Sequence, residues 1–305
     1  MNRMLEEIKE IPSRAEEIYT YTKKLKLPTK VPYLGMGSSY FAALTMKHAG
    51  LLLKAEIASE YSNYLSIGEI QEIGVLISQS GRSTEALRCR DLFEEYIAIT
   101  NDLKSPICSA SNVVLKIPML AGREEYSATK TYLNTLICLY NGFGLDCRAA
   151  LNVLSDNMNS YLETGTRLAE EIFELYPTKN YQGIFLLANG PNYPTMCNAS
   201  LILSETCKII FQALPLSQYY HGYKETAENS IVIFLKTQSP DSEYLNKVKD
   251  SIEKAGAKTI VVEELYTEHF SPLLSIMPFN FMAWKLAELL GIKKPFVVGE
   301  KISVI

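Results

Sequence analysis

Ser78-Gln79-Ser80-Gly81-Arg82-Ser83-Thr84-Glu85 follows directly on the apolar run Ile73-Gly74-Val75-Leu76-Ile77, and a helical pattern starts at about Ser83. A buried strand, a Ser/Gly turn and a helix are the reading of that stretch. The first turn of a helix has backbone N–H groups without helical partners and a partial positive charge. Ser78, Ser80, Ser83 and Thr84 add hydroxyls, and Gly81 lets the backbone approach a ligand closely. Such a cluster suits a phosphate monoester. Gly35-Met36-Gly37-Ser38-Ser39 is a second turn of this kind, between the apolar Val31-Pro32-Tyr33-Leu34 and a helical pattern over 41–53. Tyr96–Thr100 and Val113–Ile117 read as further short strands. Strands alternating with helices imply a parallel sheet covered on both faces, with both turns at its carboxyl edge, where ligands bind.

The second half repeats the first. Gly183-Ile-Phe-Leu-Leu-Ala-Asn-Gly-Pro-Asn-Tyr193 echoes residues 31–40, Ser230–Pro240 echoes 73–81, and Gly256–Val262 echoes 96–100. Thr237-Gln238-Ser239 stands where the first copy has Ser78-Gln79-Ser80. The offset of about 153 to 162 residues indicates a duplicated domain rather than a short-period solenoid. The expected organisation is an N-terminal helix over 1–30, one domain over 31–150, a second over 151–290 and a C-terminal tail over 291–305. No Gly/Ser-rich or Pro-rich linker separates the halves, so they are expected to pack closely.

The 305 residues fit two domains, and 47% apolar with 21% charged residues fit a folded globular chain. Thirty Lys+Arg against 34 Asp+Glu give a net charge of −4, without the basic excess of a general nucleic-acid binder. No apolar run reaches about 18 residues, so no membrane helix is expected. Met1–Lys9 lacks the apolar stretch of a signal peptide. Six cysteines without a C-x-x-C pair and only three histidines argue against structural zinc and a disulfide framework. Reduced thiols and a cytoplasmic location are expected, with no metal and no cofactor. A Walker A loop is absent, and Tyr40–Ala42 occupy the region where a dinucleotide fingerprint needs its third glycine.

The Gly-Ser-Ser-Tyr turn at 37–40, Glu56-Ile-Ala-Ser-Glu60, Ser78-Gln-Ser-Gly81 and Ser127-Ala-Thr-Lys130 together resemble sugar-isomerase (SIS) domains. The pair of domains resembles the isomerase half of glucosamine-6-phosphate synthase, the archaeal glucosamine-6-phosphate deaminases and the fructosamine-6-phosphate deglycases. The likeness runs from about residue 30 to the C-terminus. It implies an α/β fold of two tandem SIS domains, each a three-layer αβα, flavodoxin-like unit. It also implies that a sugar phosphate sits on Ser38, Ser39, Ser78, Gln79, Ser80, Ser83 and Thr129. Proton transfer at C1/C2 of an open-chain sugar phosphate needs a carboxylate base, a group that opens the ring and a positive charge for the enediolate. By resemblance these are Glu205, His221 in Tyr219-Tyr220-His221-Gly222, and the tail residue Lys301. The histidine of such enzymes reaches into a neighbouring subunit, so a homodimer is implied.

Two positions depart from the family pattern. Ile202 stands where a lysine is frequent, three residues before Glu205, and Asn198 where a glutamate is frequent, seven before. The synthase's glutaminase domain and nucleophilic cysteine have no counterpart, since Asn2 follows Met1. No glutamine-dependent activity is therefore expected. The resemblance leaves a phosphosugar isomerase or an amino-sugar-phosphate deaminase, with a non-catalytic sugar-phosphate sensor as the alternative. Roughly 30 residues before the first strand are too few for a separate DNA-reading domain. A nicotinamide-linked oxidoreductase is a third, weaker reading.

Overall fold

The structure, a computed structural model, describes residues 2–66, 68–176, 181, 183–240, 242–294 and 296–298. In chain order the helices and strands begin with α1 (Asn2–Lys9), α2 (Ile11–Thr22), β1 (Pro32–Gly35), α3 (Ser38–His48), β2 (Lys54–Ile57) and α4 (Ala58–Glu60). Then come β3 (Gln71–Ile77), α5 (Thr84–Arg88), β4 (Phe93–Thr100), β5 (Val113–Pro118), α6 (Thr129–Gly142), α7 (Arg148–Asp156) and α8 (Met158–Leu175). The remainder is β6 (Gly183–Ala188), α9 (Asn192–Cys207), β7 (Phe211–Pro215), α10 (Leu216–His221), β8 (Ser230–Lys236), α11 (Ser242–Lys254), β9 (Lys258–Glu263) and α12 (Pro272–Leu289). These form two compact units, one on residues 9–149 and the other on residues 150–294 with residues 2–8.

The first unit carries a five-stranded parallel sheet in the order β2-β1-β3-β4-β5. Val75, Leu76 and Ile77 are fully buried, as a central strand covered on both faces requires. On one face α5, α4 and the turn after it contribute Ala86, Ala58 and Tyr61 to a cluster with Leu34, Leu76 and Tyr96. On the other lies α6, every residue of which is buried, packed on α2 and α3. Its polar side chains are absorbed locally. The Tyr132 hydroxyl lies 3.1 Å from Thr45 Oγ1, and Asn141 donates to Tyr19 O and Thr22 Oγ1.

The N-terminal stretch differs from the single helix expected. It is two helices, with α2 restarting at Ile11. Pro12 lies in the first turn of α2, where its missing N–H costs nothing, whereas in a continuous helix it would remove a bond and clash with the preceding turn. The helix after the Ser/Gly turn is also shorter than its pattern suggests. Five residues of α5 give way to a 3-10 turn, Cys89–Leu92, that leads directly into β4.

The second unit carries a four-stranded parallel sheet in the order β7-β6-β8-β9. Each sheet, numbered from its own first strand, begins 2-1-3-4, and among the described residues only the first adds a fifth strand. Phe185, Val232, Phe234, Tyr219, Val248 and Ile252 form the core on one face. α12 is apolar almost all round and packs on α8 and α9. The α8 contact is close, since a Cβ on Gly165 would stand 2.5 Å from Pro278 O. Among the described residues no helix is long and apolar enough to cross a membrane.

Candidate functional site

In the first sheet the chain leaves β1 for the edge strand β2 and returns to β3 on the other side. The strand order therefore reverses between β1 and β3, which is where open α/β sheets bind ligands. Gly35 and Ile77 are register partners at the carboxyl ends of these strands. The turn 36–39 and the loop 78–83 thus emerge side by side, about 4.8 Å apart at their roots. Gly37, at φ +50°, precedes α3, and Ser38 and Ser39 form its first residues, both buried. Ser39 N donates to Met36 O, which tightens the turn.

The 78–83 loop is held from within. Ser78 N donates to Ile99 O, and Ser78 Oγ accepts from Gly81 N at 3.1 Å. Ser78 Oγ also lies 3.0 Å from Ser83 Oγ. Ser80 Oγ accepts from Arg82 N. The backbone of Gln79 is fixed through its carbonyl, which accepts from Asn101 N and Thr100 Oγ1. Gly81 has φ +63°, and a Cβ there would stand 1.9 Å from Ser105 Oγ, so only glycine fits. Arg82 donates to Ser80 O and to Asp102 Oδ2, each at 2.9 Å. The Arg82 hydrogen bond, aided by Lys104 N, holds the Asp102 carboxyl below its usual range.

Thr129 starts α6, but its hydroxyl donates to Glu124 Oε1 at 3.2 Å. The same carboxylate accepts from Lys130 N, Thr131 N and Thr131 Oγ1. The chain's own carboxylate thus occupies the anion position at the head of α6. Lys130 is fully buried, and its ammonium donates to Glu10 Oε2 at 2.5 Å and to Arg123 O at 2.9 Å. Sequence reasoning gave no role to Glu124, Arg82 or Glu10. The one signal for Glu124 is an acid shortly before a Thr-rich helix start, which resembles any cap.

The remaining candidates lie in the second unit. Glu205 is half-buried in the last turn of α9. Asn198 and Ile202 lie on the same helix face at spacings of seven and three residues, both essentially fully buried. Among the described residues neither amide atom of Asn198 has a hydrogen-bond partner. Lys208 caps α9 in the left-handed conformation and donates to Glu205 O. His221 ends α10 and is exposed, in an open depression with Ser217, Tyr220, Lys224 and Tyr244. Lys301 lies outside the described residues.

The second sheet reverses its order between β6 and β8 and also has a crevice there, lined by Ala188, Asn189, Leu216, Leu235, Thr237 and Ser239. Its volume is about 20 Å³, room for about one water. Asn189 Oδ1 is occupied by Leu216 N, and the Glu268 carboxylate lies against Gly190. The two crevices therefore differ in chemistry. The first is rimmed by serines, and the second is narrow, lined by leucines together with Lys236, Thr237 and Ser239, and bordered by an acid.

No protein-family model matches the chain. A glutamine–fructose-6-phosphate aminotransferase [isomerizing] of Thermotoga maritima is 27% identical over 275 residues, 83% of this chain and 44% of that protein. The enzyme of the same name from Thermococcus kodakarensis is 24% identical over 322 residues, 92% of this chain and 52% of that protein. The chain spans about half the length of the curated relatives it matches. Among solved structures, the C-terminal domain of glucosamine-fructose-6-phosphate aminotransferase from Francisella tularensis superposes with a TM-score of 0.78 at 20% identity, over 95% of this chain and 96% of that one. A glucosamine-6-phosphate deaminase from Thermotoga maritima does so with 0.77 at 20% identity, over 96% of each chain. The resemblance to the SIS family holds.

The thiols of this chain are poor nucleophiles. Burial pushes Cys89, Cys138, Cys147 and Cys207 up to about 12, so they stay protonated near neutral pH. Among the described residues no group of three or more His, Cys, Asp or Glu is placed to hold a metal.

Proposed function

We propose that the chain is a tandem-SIS phosphosugar isomerase or amino-sugar-phosphate deaminase, acting on a hexose or amino-sugar 6-phosphate. The serine-rimmed crevice at the β1/β3 reversal carries this reading. Two hydroxyl turns emerge there from adjacent strand ends, as a phosphate cradle needs. In the proposal Ser38, Ser39, Ser78, Gln79, Ser80, Ser83 and Thr129 hold the phosphate. Thr129 would then exchange its Glu124 bond for one to the ligand. His221, from a partner subunit of a homodimer, moves the ring proton so that the sugar opens. Glu205 takes the proton from one of C1 and C2 and returns it to the other through an enediol or enolamine. Lys301 supplies positive charge for the developing oxyanion. A cytoplasmic setting belongs to the same proposal, which covers only the sugar-phosphate part of the relatives' named activity.

A sensor that binds the sugar phosphate without turnover is the second reading. It is favoured by one observation: the two positions preceding Glu205 on its helix face, Asn198 and Ile202, are buried and uncharged.

The test is turnover of fructose-6-phosphate, glucose-6-phosphate and glucosamine-6-phosphate, with and without ammonia, beside a thermal shift. A ligand at about 100 times its dissociation constant stabilises by about 2.7 kcal/mol. Turnover abolished by Glu205→Gln supports the enzyme, and ammonia release selects the deaminase. A shift without turnover supports the sensor. Neither turnover nor shift with any of the sugars overturns both.

A further inference from the structure

The chain is acidic overall, yet the β1/β2 side of the first sheet's amino-terminal edge is not, whereas the β3/β4 side carries exposed Glu72, Glu94 and Glu95. Residues 21–30 and 47–54 hold six lysines and no acid. Lys23, Lys24, Lys26, Lys30, Lys47 and Lys54 are all exposed. They converge on one edge because the strand starts converge there. Pro32 is the register partner of Lys54, Lys30 N donates to Leu52 O, and Lys54 N donates to Val31 O. Among the described residues none of the six is in an ion pair. Glu72 at the start of β3 borders this side, and Asp146 is near enough to feel Lys23, but Asp146 already accepts from Tyr19 OH and Arg148 N.

Helix C-termini explain part of this charge. α2, α3 and α6 all end at this edge, and each C-terminus carries roughly −0.5 of a charge. Three of them offset about −1.5 against six lysines, which leaves a substantial positive excess. The excess borders a depression of about 440 Å³, lined by Lys23, Lys24 and Lys26 with Thr29, Asn141 and Phe143. That volume is in the range of small-molecule sites. Lys30, Lys47 and Lys54 lie outside it on the same edge, where they would steer an anion inward.

We infer that this depression is a binding site for a small polyphosphorylated anion, separate from the serine-rimmed crevice. The two lie at opposite edges of the sheet. α6 joins them, with Thr129 at one end and Gly142 at the other, about 20 Å apart along the helix. A small anion is favoured over an acidic protein surface because three of the lysines line this one open depression. This inference does not rest on the proposed activity.

The test is calorimetric titration of the full chain with inorganic tripolyphosphate at physiological salt, with orthophosphate and a poly-glutamate peptide in parallel. Tripolyphosphate should bind best. The triple variant Lys23→Ala/Lys24→Ala/Lys26→Ala should weaken it by about tenfold or more, whereas Lys247→Ala on the second unit should not. The three side chains are exposed, so the triple variant should keep its melting behaviour. As a second readout, tripolyphosphate should protect Lys23, Lys24 and Lys26 from acetylation while Lys247 remains reactive. Binding unchanged in the triple variant, tighter binding of the peptide, or no binding would each overturn the inference.

Discussion

Ser78 Oγ lies 3.0 Å from Ser83 Oγ, so one hydrogen bond closes the loop between β3 and α5 across Gly81. The loop's own hydroxyls and backbone hold its shape. Preorganised hydroxyls cost less to recruit than hydroxyls that must first be ordered.

The first prediction concerns the residue inside that closure. Gly81→Ala should destabilise the protein by about 2 kcal/mol or more, from a left-handed φ and from overlap with Ser105. Gly81→Ala/Ser105→Gly should recover only the Ser105 part of the overlap, since Thr100 Oγ1 still stands 2.9 Å from the Cβ. Denaturant midpoints of the four variants of this cycle separate that part from the rest. Full recovery would mean that φ contributes nothing.

A second prediction concerns the buried ammonium of Lys130. Glu10 is partly exposed and Lys130 is not. Removing the acid leaves a buried charge, which typically costs about 3–5 kcal/mol, whereas replacing the lysine by an apolar side chain is often near neutral. Glu10→Ala should therefore destabilise more than Lys130→Met in chemical denaturation. The reverse order would show that packing of the lysine stem, rather than its charge, dominates.

Much of this fold is legible in the sequence because central parallel strands are written as unbroken apolar runs. Ile73–Ile77 and Ile184–Leu187 can be little else. The serine turns are legible for the same reason, since they sit where such runs stop. Pro12 is visible too, but its consequence, a second helix, depends on whether the chain bends before it. Glu124 is invisible because a loop without periodicity carries it back onto α6. The burial of Asn198 and Ile202 is equally hidden, because α9 is apolar on more than one face and no pattern says which side is covered. Glu205 and His221 are candidates by family likeness, not by periodicity.

Glu264 gives a pH prediction. Burial raises its carboxyl above the usual 4.5, against the lowering effect of bonds from Tyr266 N and Tyr161. The folded state then holds this proton more tightly than the unfolded one. Stability from this group is present below the unfolded value and is lost as pH rises through the raised folded value. Glu264→Gln removes that loss. The stability difference, variant minus wild type, should grow as pH rises from about 4 through the range above 4.5, and a flat difference would sink the assignment. Melts across that range measure it.

The last prediction addresses the face of α9 that leads to Glu205. Asn198 is buried with both amide atoms unpartnered, an arrangement that costs about 1–3 kcal/mol relative to a fitted apolar side chain. Asn198→Leu should therefore raise stability. Ile202→Lys alone should lower it, since it buries an unpaired ammonium. Asn198→Glu/Ile202→Lys places a carboxylate four residues before the ammonium, the favourable order on a helix. The pair should lose less than the sum of its single changes, a coupling that a double-mutant cycle reads directly. The same double variant separates the two functional readings. If the helix has lost catalytic charges from an otherwise intact isomerase site, turnover of fructose-6-phosphate should rise in the double variant and in neither single one. If turnover stays at background while the thermal shift by the sugar phosphate is retained, the binding-only reading gains. If the coupling is absent, residues 198 and 202 do not face each other as the helix spacing requires.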